Sequence, residues 1–297
     1  MTFHEGGSFE GGRVQTRSGG RGVAIGGGAG VLGLAVFLIY QFTGVNLSPV
    51  VDQLQNPAGA GGGTTQEGTI GTCSAQDANT KRDCRLNATI QSLDTYWAET
   101  VAAAGATFVQ PPVVSFQEAT TTGCGDASAS TGPFYCPTDQ TIYIDLGFYD
   151  LLQSRFGAKG GPLAEEYVVA HEYGHHIQQI TGVMDKAGRQ GTGAESDSVR
   201  VELQADCYAG IWVGHASKEV DPDTGQVFLD PITDAELEQA LSAAKAVGDD
   251  HIQQQSGGGV NPDAWTHGSS AQRQSWFAKG YNEGTLQACD TFSATDL

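Results

Sequence analysis

In the run His171-Glu172-Tyr173-Gly174-His175-His176, two histidines stand four residues apart with a glutamate directly after the first. On a helix, four residues advance the chain by about 400°, so His171 and His175 leave one face a turn apart and their imidazoles can converge on one metal ion. Glu172 projects beside that pair, where its carboxylate reaches a metal-activated water rather than the metal, the place a general base needs. Tyr167, Val168, Val169 and Ala170 precede the motif and place it on a buried helix. Two imidazoles buried there without a ligand would lose hydration with nothing in return. His176 leaves another face and reads as structural.

A catalytic zinc takes three protein ligands and keeps one position for water. Glu202-Leu203-Gln204-Ala205-Asp206 is the best source of the third. Glu202 and Asp206 share a helix face, so Glu202 can ligate while Asp206 accepts the distal N–H of a ligand histidine and fixes its tautomer. Leu203, Ala205, Cys207, Tyr208, Ile211 and Trp212 make this an apolar helix, unlike the setting of an ordinary exposed acidic pair. His215, His251 and His267 are the competing third ligands. His267 and Arg273, in Thr266-His267-Gly268-Ser269-Ser270-Ala271-Gln272-Arg273, are candidates to stabilise the oxyanion of a tetrahedral intermediate. The plainer alternatives are a turn residue for His267 and a salt bridge from Arg273 to Asp249 or Asp250. Tyr173 and Tyr208 are weaker candidate donors.

The elements that must carry these residues are legible from pattern. Pro162 opens a helix expected to end near Gly182, and another is expected from about Ser198 to His215. Thr233 and Glu236 form a capping box for a third helix expected to reach Gln255, and Ser269 or Ser270 caps a fourth that stops near Gly280. Upstream, Leu86, Ile90, Leu93 and Trp97 predict a helix over 84–104. Thr141–Asp145 alternates like a short strand and is followed by a helix near 148–156. The fold class is therefore α+β, dominated by helices.

Apolar residues make up 39% of the chain and charged ones 16%, which fits a globular domain with a sizeable core. The net charge of -19, without clustered Lys or Arg, argues against a nucleic-acid partner. Six cysteines, at 73, 84, 124, 136, 207 and 289, lack the CxxC spacing of zinc or redox sites and read as disulfides of an oxidising compartment. Of the 15 possible pairings, the short spacings favour Cys73 with Cys84 and Cys124 with Cys136, leaving Cys207 with Cys289. Residues 22–42 contain no charge and are long enough to cross a bilayer core of about 30 Å. Arg13, Arg17 and Arg21 precede them and no basic residue follows until Lys81, so the positive-inside rule puts the N-terminus in the cytoplasm. The expected order is a cytoplasmic tail over 1–21, a transmembrane signal anchor over 22–42, a Gly/Thr-rich tether over 43–70 and an extracytoplasmic domain over 71–297.

With HEYGHHIQ, ELQADCYAG, FYCPTDQTIYID and THGSSAQRQSWFAKGY in this order, the chain over about 70–295 resembles the bacterial putative neutral zinc metallopeptidase family, itself similar to gluzincins. The resemblance implies a zincin-like domain behind a single N-terminal transmembrane helix. It assigns one Zn(II) per chain to His171, His175 and Glu202, catalysis to Glu172, and support of a ligand histidine to Asp206. It also implies that the strand at Tyr143 is an edge along which a peptide docks. The gap from His175 to Glu202 is longer than in the best-known gluzincins. The expected function is zinc-dependent hydrolysis of a protein or peptide substrate; the rivals are a catalytically silent zinc scaffold or chaperone and a zinc amidase acting on a cell-wall amide.

Overall fold

The computed structural model describes residues 2–18, 66–117, 119–128, 131–187, 191–257 and 259–297. Strands β1 (Ser8–Phe9), β2 (Gln15–Ser18), β3 (Gln66–Thr69) and β4 (Cys73–Ser74) lead into helices α1 (Ala75–Thr80) and α2 (Arg82–Ala103). Strands β5 (Val113–Gln117), β6 (Ala119–Thr122), β7 (Gly125–Ser128), β8 (Phe134–Cys136) and β9 (Thr141–Asp145) follow. The remainder is helical, with α3 (Phe148–Ser154), α4 (Pro162–Ile180), α5 (Val183–Lys186), α6 (Asp197–Ala216), α7 (Asp234–Ala246), α8 (Asp249–Gln255) and α9 (Ser270–Glu283). The helix-rich α+β class read from the sequence is the class observed.

The main sheet has the order β3-β2-β5-β9-β8, with β5 parallel to both β2 and β9 and β8 antiparallel to β9. All five residues of β9 are buried, because both faces of the sheet are covered. Ile142 and Ile144 face the large core beneath the helices, while Tyr143 joins Val114, Phe116 and Phe134 under the β6–β7 hairpin. Strand β9 is thus interior. Among the described residues the end strand of the sheet nearest α4, which carries the HEYGH motif, is β8, which corrects the expectation that the Tyr143 strand is an edge.

Helices α4 and α6 pack side by side, and α9 lies along α6. Glycine sets these approaches. A Cβ on Gly174 would sit 3.1 Å from the Ala205 carbonyl of α6. Side chains on Gly210 or Gly280 would fall well inside contact with the backbones of Phe277 and Cys207 respectively. Gly280 therefore sits within α9 instead of ending it, and the helix runs on to Glu283, where Gly284 closes it at φ 64°. The helix expected from Thr233 to Gln255 is broken at Gly248. A Cβ there would lie 2.5 Å from the Ser270 nitrogen, so the chain restarts as α8. The three disulfides Cys73–Cys84, Cys124–Cys136 and Cys207–Cys289 are those that spacing favoured.

Two stretches assigned outside the domain are instead built into it. Residues 66–69 form β3 and Ile70 is buried, so the domain begins ahead of residue 71. Residues 2–18, expected as a cytoplasmic tail, supply β1 and β2 together with the buried side chains Phe3, Phe9 and Val14. The apolar 22–42 segment lies outside the described residues. Among the described residues no helix is long and apolar enough to cross a membrane.

One buried acid sets a pH dependence of stability. Glu219, just past α6, accepts from Ser92 Oγ at 3.0 Å, and Ser92 in turn accepts from Trp212 Nε1 at 3.1 Å. Burial raises the Glu219 carboxyl to about 8, and the carboxylate of Glu99 adds to the rise. The folded form thus holds a proton that the unfolded chain releases near pH 4.5. The stabilisation is complete below that pH and is lost as pH climbs through about 8. Glu219→Gln is expected to match the parent at pH 5 and to exceed its unfolding free energy by roughly 2–4 kcal/mol at pH 8.5, as measured by denaturant titration.

Candidate metal centre

Helix α4 starts with Pro162 at its first position, where the missing N–H costs nothing. Its 19 residues bury all of 163–178, polar groups included. Helix α6 begins at the Ser196 cap, whose hydroxyl accepts from the Val199 N–H. The close approach at Gly174 brings one turn of each helix face to face. There the ligand atoms of His171, His175 and Glu202 all lie within 4.8 Å of one another. His171 Nε2 is 3.1 Å from Glu202 Oε2, and His175 Nε2 is 3.5 Å from Glu202 Oε1.

Both imidazoles are aimed from behind. His171 Nδ1 donates to Asp206 Oδ1 at 2.8 Å. The same carboxylate accepts from Tyr167 OH at 2.5 Å and from Arg273 Nε and Nη2 at 2.8 and 2.9 Å. His175 Nδ1 donates to Gln178 Oε1 at 2.9 Å, and the Gln178 amide is oriented by donating to the Val201 carbonyl at 2.7 Å. With both Nδ1 atoms so engaged, each Nε2 lone pair points into the cluster. Glu202 is the third member, while His215 turns to the Ile211 carbonyl and His251 to that of Phe156.

The electrostatics suit a cation. Burial pulls the His171 imidazolium down, but the carboxylates of Asp206 and Glu202 outweigh it and hold the group up to about 10. Burial likewise pushes Glu202 up, and the histidines around it bring it well below the carboxylate range. With a metal ion in place of the proton on His171, two imidazoles and one carboxylate, closely spaced and with their outer atoms already satisfied, match the donor set of a catalytic zinc. Glu172 is not part of that set. It lines the same cleft, its carboxyl raised by burial and partly brought back by His171 and His175.

His267 also lines the cleft, from the loop ahead of α9. Asp249, the first residue of α8, holds that loop. Its Oδ2 accepts the backbone N–H groups of Thr266, His267 and Gly268 at 2.8, 2.7 and 3.0 Å, and its Oδ1 lies 3.4 Å from His267 Nδ1. Arg273 does not pair with Asp249 or Asp250, as one reading of the sequence had it, but with Asp206. Tyr173 donates to Asp94 at 2.7 Å, away from the cleft, and Tyr208 does not line it. His176 donates to the Val109 carbonyl at 2.6 Å, the structural role expected of it.

Sequence reasoning missed Tyr167 and Gln178. Tyr167 stands four residues before His171, and Gln178 three after His175, so both share the face of the residue they serve. The cleft holds about 140 Å³ and is mostly apolar, with Phe134 and Tyr135 of β8, Phe148, Val168 and Met184 among its walls.

A family model described as "putative neutral zinc metallopeptidase" matches residues 4–292. The chain belongs to this family. The match of the putative neutral zinc metallopeptidase family starts ahead of β1 and so takes in the N-terminal strands as well as the helices that carry His171, His175 and Glu202. The chain is 50% identical over 221 residues to uncharacterized protein Rv2575 of Mycobacterium tuberculosis, 74% of each chain. The same figures hold for uncharacterized protein Mb2605 of Mycobacterium bovis. It is 40% identical over 271 residues to uncharacterized protein YpfJ of Escherichia coli, 90% of this chain and 87% of that one. No solved structure matches.

Proposed function

We propose that the protein is a zinc-dependent peptidase, with His171, His175 and Glu202 holding one Zn(II) per chain and Glu172 as general base. The observation that carries this reading is the separation of roles in one cleft: three ligand atoms within 4.8 Å, and a second acid lining the same cleft that is not among the ligands. A scaffold needs the first feature and has no use for the second.

Zinc held by His171, His175 and Glu202 would supply Lewis acidity, lowering the pKa of a bound water toward neutrality. Glu172 takes the proton of the attacking water and returns it to the leaving amine. Its buried setting keeps the carboxyl more basic than in solvent, which suits it to both transfers. His267, held by Asp249 and lining the cleft, donates to the developing oxyanion. Asp206, with Arg273 and Tyr167 around it, keeps the His171 ring in register. A peptide backbone pairs along β8, the last strand in the order of the main sheet, and the apolar walls of the cleft accept its side chains.

The three disulfides support an extracytoplasmic site of action, with the 22–42 segment as the contact to the membrane. Glu202→Ala is expected to lose stoichiometric zinc on dialysis. Asp206→Asn, which leaves the ligands but not the strong acceptor behind His171, is expected to weaken zinc about 10–100-fold. Metal content after dialysis against a graded chelator checks both, and Glu202→Ala binding zinc as tightly as the parent would remove Glu202 from the ligand set.

A further inference from the structure

Ser18 and Gln66, though 48 positions apart in sequence, stand side by side in the main sheet. Strand β2 pairs antiparallel with β3 in a register that sets Ser18 opposite Gln66, and it pairs in parallel with β5 from Gln15↔Val114 to Ser18↔Gln117. Upstream, β1 sets Phe9 opposite Cys73, the cysteine bonded to Cys84. Phe3 is fully buried, with its N–H on Asn79 Oδ1 at 2.7 Å and its carbonyl accepting from Asn79 Nδ2 at 3.0 Å. Arg13 grips Asp94 of α2 through Nε at 2.6 Å and Nη2 at 3.0 Å, and that same carboxylate accepts from Tyr173 of the HEYGH motif.

Contacts of 3 Å cannot straddle a bilayer core of about 30 Å. We infer that residues 2–18 lie in the same oxidising, extracytoplasmic compartment as the disulfide-bonded domain. Two of the arginines that would otherwise signal a cytoplasmic tail, Arg13 and Arg17, have another use. Arg13 serves Asp94, and Arg17 lies 3.5 Å from Glu67 of β3 and donates to the Thr121 carbonyl at 3.4 Å. A positive-inside count treats them as free charges, which they are not once the strands close. The placement does not depend on the peptidase reading, since it rests on strand pairing and a disulfide remote from the cleft.

The test is cysteine labelling of the full chain in intact cells with a membrane-impermeant maleimide. The native cysteines are all paired, so Glu5→Cys and Glu283→Cys, both at exposed positions, report on the N-terminal segment and the domain separately. Both should label to the same extent before permeabilisation. Glu5→Cys labelling only after permeabilisation, with Glu283→Cys labelled in intact cells, would overturn the inference, as would protection of both. A second variant guards against a cysteine that disturbs folding. Thr16→Cys with Gly68→Cys, directly opposed in the β2–β3 register, should close a fourth disulfide in most of the protein made in cells, and a persistent pair of free thiols would overturn the pairing in the native compartment.

Discussion

Glu172→Gln is expected to keep stoichiometric zinc and an unchanged fold while losing about 10²–10⁴-fold in kcat for peptide hydrolysis. The amide is close to isosteric with the carboxyl and is not among the groups that hold the metal, so neither the ligand geometry nor the helix contact at Gly174 is disturbed. What is removed is the capacity to take a proton from the attacking water and return it to the amine. KM should move little, because Glu172 acts on the transferred proton rather than on the ground-state substrate. Steady-state kinetics on purified parent and variant, with metal content measured on the same samples, gives the comparison. Retained turnover in a zinc-loaded variant would assign the base elsewhere.

Deletion of residues 2–18 is expected to cost most or all of the folding free energy. Phe3, Phe9 and Val14 are between 0% and 2% exposed, and burying three such side chains contributes roughly 1.5–3 kcal/mol each. The loss of β2 would in addition unpair one edge of β5 and strip Asp94 of its Arg13 partner, leaving a carboxylate in a largely closed site. The sum approaches the 5–15 kcal/mol that a whole domain usually has in reserve. Thermal or denaturant unfolding of the deletion variant beside the full chain measures it. A deletion variant as stable as the parent would mean that the N-terminal strands add nothing to the fold.

The N-terminal strands also mark the limit of what was legible in the sequence. The helices that carry chemistry could be read because each has its own local signal: Pro162 at a first turn, a capping box at Thr233, a serine cap ahead of α9. His171, Glu172 and His175 follow from spacing on one such helix, and Glu202 and Asp206 from an acidic pair on an apolar one. Strands β2 and β3 have no comparable signal. Gln15–Ser18 and Gln66–Thr69 are polar, and what makes them strands is pairing between segments about 50 residues apart in sequence and with β5 beyond. The strand at Val113–Gln117 differs, since its valines and Phe116 do carry a strand signal, but five residues after Pro111 and Pro112 are a short one without the pairing to β2 and β9. Gly280 looked like a stop because a lone glycine in a helix usually weakens it. Its neighbour across the interface, the Cys207 backbone, is what demands it. Arg273 had several acidic partners within reach in sequence, and only the packing of α9 on α6 selects Asp206.

The most direct test of the central claim is bound metal and chelator-sensitive peptide hydrolysis measured together on the purified full-length chain. The expected result is one zinc per chain, cleavage of an unstructured polypeptide, loss of both on chelation and return of both when zinc is added back. Zinc at full stoichiometry with no cleavage across a broad peptide library would contradict the peptidase, and a chain that takes up no zinc would contradict the metal centre itself.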